Sequence, residues 1–219
     1  MVINRNIKKR VEKKGLSLFI KDKKESWPAF GKAHRFEIIY VKKFKQLPLE
    51  FLKKNKNKKP KIMILGAGLG EDIKLLKTEL QKDNIKPNVD VFSLTKSISE
   101  TAKKEIRKDY SINKALETIN FKENKRLVSK IKEKYDLVIA PLSVGVYTDH
   151  VAYNLFLTSK LLRPKGKAYV EVLKNNNLIK KFTRFNELFN KQFKETAEFK
   201  INQINENEKY LYFEITRQK

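Results

Sequence analysis

The 219-residue chain contains no cysteine, only two histidines and two methionines, and a single tryptophan. Without cysteine there is no disulfide framework and no thiolate metal site. No set of His, Asp and Glu has metal-ligand spacing, so no metal is expected. No apolar run approaches the roughly 20 residues that span a bilayer, and the first residues lack an apolar signal core. The expectation is a soluble, cytoplasmic protein without membrane contact. Acids are also scarce: 25 Asp and Glu face 50 Lys and Arg, a net charge of +25. Glycine is rare, with seven in the chain, yet three of them fall within five residues, Gly66, Gly68 and Gly70.

The charge is unevenly placed. Residues 1–60 hold 19 basic and 5 acidic residues, a net of +14. Lys8, Lys9, Arg10, Lys13 and Lys14 cluster in an arm with little apolar content that cannot bury them. Lys outnumbers Arg 42 to 8. That preference fits an A+T-rich genome, but it does not explain the shortage of acids. Such a surface attracts polyanions, RNA above all, through phosphate contacts. RNA or a ribonucleoprotein is therefore the expected partner. Trp27, next to Pro28 in a polar stretch, could stack on an unpaired base. Phe30 and Phe36 are expected to pack, and His34 to be structural or RNA-contacting.

Residues 1–59 read as a basic extension made of the arm, a short strand at Gly15–Ile20 and a helix from Pro28 to Leu47. A short helix starts at Pro48, and "KKNKNKK", Lys53 to Lys59, is a solvated loop. From residue 60 to 219 strand and helix alternate. Strands are predicted at Lys61–Leu65, Val89–Leu94, Leu116–Phe121, Tyr135–Ala140 and Ala168–Leu173. Helices are predicted at Glu71–Lys82, Ser97–Tyr110, Asn124–Glu133, Thr148–Leu162 and Leu178–Phe193. A turn is read at Arg163–Gly166. Glu198–Ile204 and Lys209–Ile215 read as a closing antiparallel hairpin. The fold class is α/β: a doubly wound, mostly parallel, seven-stranded sheet with an antiparallel C-terminal hairpin, plus the basic N-terminal extension. Ligands of such sheets lie at the carboxyl ends of the strands. That places the glycine turn, Thr95 and the loop Pro141–His150 around one cleft.

"KIMILGAGLGED", Lys61–Asp72, is a buried strand, a glycine turn and a helix start. It does not complete a dinucleotide fingerprint, because Glu71 stands where the third glycine of G-x-G-x-x-G belongs. It is not a P-loop, because no Lys-Ser or Lys-Thr follows. Glu71 and Asp72 suit the helix dipole but repel a pyrophosphate. They also count against a nicotinamide-dependent oxidoreductase. The turn favours a neutral or zwitterionic ligand whose ammonium an acid could meet. The alternative is a tight strand–helix turn with no ligand over it.

Gly66-Ala67-Gly68-Leu69-Gly70 after a strand resembles the G-x-G-x-G motif of class I, Rossmann-like S-adenosylmethionine-dependent methyltransferases. "YDLVIA", Tyr135–Ala140, resembles that family's fourth strand. "LLRPKGKAYV", Leu161–Val170, resembles its "LLKPGG" helix–turn–strand, and the hairpin its last two strands. The resemblance spans roughly residues 48–217 and makes residues 60–219 the methyltransferase domain. It implies S-adenosylmethionine as cofactor, held by Gly66, Gly68, Gly70, Glu71, Thr95 and Pro141. Two positions depart from the pattern: Ile64 and Thr95 stand where the family usually has acids. A threonine hydroxyl cannot make the bidentate, charge-assisted contact of a carboxylate.

The loop after the fourth strand carries acceptor chemistry in the family. It lacks the N-P-P-Y or D-P-P-Y of base amino-methyltransferases, and no cysteine is present for cytosine C5 chemistry. A ribose 2′-O tetrad would place its Asp at Pro141 and its second Lys at Glu171. Tyr147, Asp149 and His150 remain as candidates to orient or deprotonate an acceptor. Each has a plainer role: Tyr147 packing, Asp149 capping a helix, His150 as a partly buried surface residue. Two functions stay open. One is a methyltransferase acting on RNA or an RNA-associated substrate. The other is a catalytically inactive methyltransferase-like subunit that binds RNA or joins a ribonucleoprotein.

Overall fold

The computed structural model describes residues 37–67, 70–92, 100–110, 131–145, 155, 158–173, 199–206, 208 and 210–218, with backbone alone at 37–39, 71–72, 100, 109 and 141–145. A wide-turn π-helix, Glu37–Lys43, comes first and is followed by α1, Leu47–Lys54. Then come β1 (Lys61–Leu65), α2 (Glu71–Gln81), β2 (Asn88–Phe92), α3 (Glu100–Lys103) and β3 (Lys108–Asp109). The chain continues with β4 (Tyr135–Gly145), β5 (Leu162–Leu173), β6 (Phe199–Glu206) and β7 (Tyr210–Arg217).

The strands form one sheet in the order β3-β2-β1-β4-β5-β7-β6. Six of the strands have five residues or more, and β3 is a two-residue edge. β3, β2, β1, β4 and β5 run parallel, while β7 runs antiparallel to both β5 and β6. The direction of strand addition reverses between β1 and β4, the switch point where open sheets of this kind bind ligands.

The continuous apolar strands follow from burial on both faces. Ile62 and Ile64 of β1 point to one side, with Val89, Val91, Leu137 and Ile139. Met63 and Leu65 point to the other, with Phe92, Val138, Ala140 and Val170. On the first face α2 supplies Ile73, Leu76 and Leu80, three or four residues apart and so on one helical stripe. Tyr40 of the π-helix and Phe44 just after it, with Leu49 and Leu52 of α1, extend the same cluster. Ile131, ahead of β4, and Leu155 and Leu161, ahead of β5, join the cluster on the second face.

The hairpin forms as the sequence predicts, though longer on both sides. Several expectations need correction: β4 continues through Gly145, so Pro141–Gly145 are strand rather than loop, and Leu162 opens β5 rather than ending a helix. Residues Ser97–Tyr110 are not one helix: α3 ends at Lys103, and Lys108–Asp109 pair with Asp90 and Val91 as β3. The open edge of β2 takes backbone partners there, with Arg107 N–H donating to Val89 O at 2.8 Å and Tyr110 N–H to Val91 O at 2.9 Å. That edge pairing outweighs the helical periodicity. The helix expected over Asn124–Glu133 does not reach its end, since Ile131 to Glu133 are non-helical. Arg163–Gly166 is not a plain turn outside the sheet. Leu162 already pairs with Tyr135, and Lys167 with Leu137, so four residues bulge within β5 opposite Asp136. Lys165 adopts φ 63° there. A Cβ on Gly166 would meet Tyr135 O at 2.8 Å and Arg163 O at 2.9 Å. The strand Leu116–Phe121, the helix Leu178–Phe193, the strand Gly15–Ile20 and the arm lie outside the described residues. No helix among the described residues is long and apolar enough to cross a membrane.

Candidate functional site

The carboxyl ends of β1 and β4 meet at the switch point, and the glycine turn leaves β1 there. Gly66 has φ 80°, and Gly70, the residue before α2, has φ 79° and ψ 7°. Both are left-handed conformations that cost a residue with a Cβ roughly 1–2 kcal/mol. This is the local reason for glycine at both positions. Gly66 N–H donates to Phe92 O at 2.6 Å, which ties the turn to the end of β2. Gly70 N–H donates to Ala67 O at 2.9 Å, and Ile73 N–H to Gly70 O at 3.1 Å, which opens the helix. The Gly66 and Gly70 amides are thus engaged inside the fold rather than aimed at a phosphate. Ala67 is buried in the core and anchors the turn.

Of the cofactor candidates, Gly66 and Gly70 are brought together here, with the backbone of Glu71 as the first residue of α2. Pro141 follows Ala140 in β4, next to β1 in the sheet. Gly68, Thr95, Tyr147, Asp149 and His150 lie outside the described residues, as do Lys8, Lys9, Arg10, Lys13 and Lys14. Ile64 is 3% exposed and packs in the apolar cluster beside α2. Among the described residues no group of three or more His, Asp or Glu could hold a metal.

Two buried acids were not singled out from the sequence as structural centres. Glu171, near the carboxyl end of β5, is fully buried and ion-paired at 2.5 Å with Lys43, the last residue of the π-helix. The Lys43 ammonium also lies 5.2 Å from the centre of the Tyr210 ring, a cation–π contact. Burial, and the Glu171 charge next to it, push the Tyr210 hydroxyl pKa upward. This pair fastens the π-helical segment onto β5 near its carboxyl end.

Asp90, at the centre of β2, is likewise fully buried. It accepts hydrogen bonds from Arg107 Nε at 2.9 Å, from the Arg107 terminal nitrogen, and from the Tyr135 hydroxyl at 2.8 Å. Arg107 also meets Glu133, which in turn pairs with Lys61 at 2.8 Å and with Lys108. Hydrogen bonds from Arg107, Lys108 and Lys61 hold the Glu133 carboxyl far below the usual carboxylate range. Desolvation and the bond to Asp90 push the Tyr135 hydroxyl well above its ordinary pKa. Asp136, the acid of "YDLVIA", accepts from Lys61 N–H at 2.7 Å and pairs with Arg163 at 3.0 Å. Apart from Asp90 in mid-strand, these groups sit where the strands begin, away from the glycine turn, and the network's role is structural. One acid inside an otherwise apolar strand ("NVDVF", "AYVEVL") is a readable sign of a buried carboxylate, but its partner is not readable.

No family model matches the sequence, and no curated protein matches it. Solved structures do match. The plantazolicin methyltransferase BpumL, in complex with a monoazolic desmethylPZN analog and SAH, superposes with a TM-score of 0.59 at 11% identity, over 98% of this chain and 99% of that one. The plantazolicin methyltransferase BamL, also with SAH, gives 0.54 at 13%, over 85% and 90%. A Listeria monocytogenes protein described as a class I S-adenosylmethionine-dependent methyltransferase gives 0.51 at 12%, over 80% and 58%. At these identities the likeness speaks to architecture. Together with the strand order and the glycine turn, it shows that this chain has the fold of the class I S-adenosylmethionine-dependent methyltransferases.

Proposed function

We propose that this chain is an S-adenosylmethionine-dependent methyltransferase whose acceptor is RNA or an RNA-associated molecule. The observation that carries the cofactor reading is the left-handed glycine turn at the switch point between β1 and β4. That turn has the conformation needed for close approach of a ligand to backbone. When bound, S-adenosylmethionine supplies an electrophilic methyl group. Gly66, Gly68 and Gly70 would line its methionine part, and Glu71 would face the ammonium. Thr95 would offer one hydroxyl to the ribose, with Pro141 beside the cleft. Tyr147, Asp149 and His150 would orient the acceptor or take its proton, in a reaction governed mainly by positioning. The acceptor reading rests on the +25 charge. The plantazolicin enzymes were solved with desmethylPZN analogs; a strongly basic chain suits a polyanion instead. The arm Lys8–Lys14 would grip phosphates.

A second reading, an RNA-binding subunit with this fold and no catalysis, is favoured by Ile64, buried among apolar neighbours at a position usually acidic in the family. Calorimetric titration with S-adenosylhomocysteine separates the two. The first reading expects saturable binding, abolished in a folded Gly68→Asp variant by the added carboxylate. No binding at millimolar ligand leaves the second reading standing. Unchanged affinity in Gly68→Asp removes the glycine turn from the site.

A further inference from the structure

The loops that lead into the parallel strands gather at the pole of the sheet opposite the glycine turn. They are residues 55–61, 82–87, 104–108 and 131–134, with the bulge 163–165 beside the start of β4. Backbone and side-chain contacts join them. Lys86 N–H donates to Lys58 O at 2.8 Å, and Asn88 N–H to Pro60 O at 2.8 Å. Lys58 Nζ donates to Asp83 O at 3.1 Å, and Asn57 Nδ2 to Asp136 at 3.3 Å. These five segments contain thirteen Lys and Arg against three Asp and Glu.

All three acids are already engaged: Asp83 with Lys53, Glu105 with Lys77, and Glu133 with Lys61, Arg107 and Lys108. The buried acids beneath them, Asp90 and Asp136, are held by Arg107 and Arg163. Lys56, Lys59, Lys86, Lys104, Lys132 and Lys165 are exposed and pair with no acid among the described residues. Neighbouring strands lie about 4.8 Å apart, so the five strands from β3 to β5 spread these cations over roughly 19 Å. That is wide enough to face several phosphates of one strand. The compositional bias toward lysine does not dictate this arrangement, because the fold neutralises each nearby acid internally and leaves the outer layer cationic.

We propose that this pole is a binding surface for the sugar–phosphate backbone of RNA, separate from the ligand end of the sheet. Of the apolar residues of these loops, Pro60, Ile85, Pro87 and Ile131 are buried, Ile106 is half-buried against the core, and Pro164 is exposed. No large apolar side chain of these loops is fully exposed for insertion into a bilayer, which membrane-surface binding uses alongside charge. The five segments contain no aromatic residue, so base stacking is absent and contact is to phosphates, with little sequence preference. β1 spans five residues, so at about 3.3 Å per residue the surface lies roughly 17 Å or more from the glycine turn. Occupation of one end leaves the other accessible.

The test uses the full chain and a quadruple variant, Lys56→Gln, Lys59→Gln, Lys86→Gln and Lys132→Gln. Binding of a fluorescein-labelled 20-nucleotide oligouridine is followed by anisotropy at several salt concentrations. Thermal melting and S-adenosylhomocysteine affinity serve as controls. Each lost phosphate contact should reduce the log–log salt slope by about 0.7, so the variant should lose about 2–3 from its slope and bind RNA at least tenfold more weakly at low salt. Melting and cofactor affinity should not move. Equal RNA affinity and slope in the two proteins overturn the proposal. So does RNA affinity that depends only on residues 1–14, or a variant that loses binding to phosphatidylserine vesicles while RNA binding is untouched.

Discussion

Asp90→Ala should destabilise the fold by about 2–4 kcal/mol. The Asp90 side chain is fully buried and serves two donors at once, Arg107 and the Tyr135 hydroxyl. Its loss removes the charged acceptor of the Tyr135 hydroxyl, on a residue with no exposed surface, and leaves that hydroxyl with Tyr110 as its partner; a hydrogen bond to a charged group contributes about 1.5–3 kcal/mol. The charge-assisted bond to Arg107 adds about 1.5–3 kcal/mol when intact. That part must be discounted, because the Arg107 side chain is 30% exposed and keeps Glu133. The roughly 3–5 kcal/mol seen when one partner of a fully buried ion pair is removed is therefore an upper bound. In a chain of this size each kcal/mol moves Tm by about 2–4 °C, so a fall of roughly 5–15 °C is expected. Urea denaturation at pH 7 reads the loss as a shift in midpoint at constant m-value. Tyr135→Phe alone should cost about 1 kcal/mol, since Arg107 still satisfies the carboxylate. The double variant should show a coupling of at least 0.5 kcal/mol. A loss below about 0.5 kcal/mol for Asp90→Ala, or strict additivity, would refute the account of Asp90 as the centre that joins β2, β3 and β4.

Glu133 gives a pH prediction. Its folded pKa is depressed by Arg107, Lys108 and Lys61, so its contribution is present above the unfolded carboxylate value of about 4.3 and is lost as pH falls through the folded value. The stability gap between the natural chain and Glu133→Gln should be constant from about pH 6 to 8 and shrink steadily below about pH 5; a gap that widens in acid would contradict it. Gly166→Ala should destabilise by at least 1 kcal/mol, because its Cβ would meet three carbonyl oxygens within 3.1 Å; an unchanged melting temperature would show that the β5 bulge yields. Thr95→Asp should tighten S-adenosylhomocysteine binding about tenfold, through a charge-assisted contact to the ribose; equal or weaker affinity in the folded variant would place the ribose elsewhere.

The apolar runs "KIMIL" and "YDLVIA" determine their own strands, because only a sheet covered on both faces buries every side chain of such a run. Gly66 and Gly70 determine the turn after β1, since the left-handed backbone there tolerates little else. The hairpin was legible from two alternating runs and the polar link between them. Local pattern could not report what an open edge or a buried charge demands. Lys108 and Asp109 read as the end of a helix, and only the unpaired edge of β2 makes them a strand. "RPKG" read as a turn, and only the pairing of Leu162 with Tyr135 makes it a bulge inside β5. Asp90 and Glu171 stand as single acids within apolar strands, a sign the sequence carries although neither was singled out from it as a structural centre. That Arg107 reaches the first from 17 residues away, and Lys43 the second from 128, was decided by the tertiary structure. Counter-charges in a packed core are chosen by proximity in space, which a linear spacing does not encode.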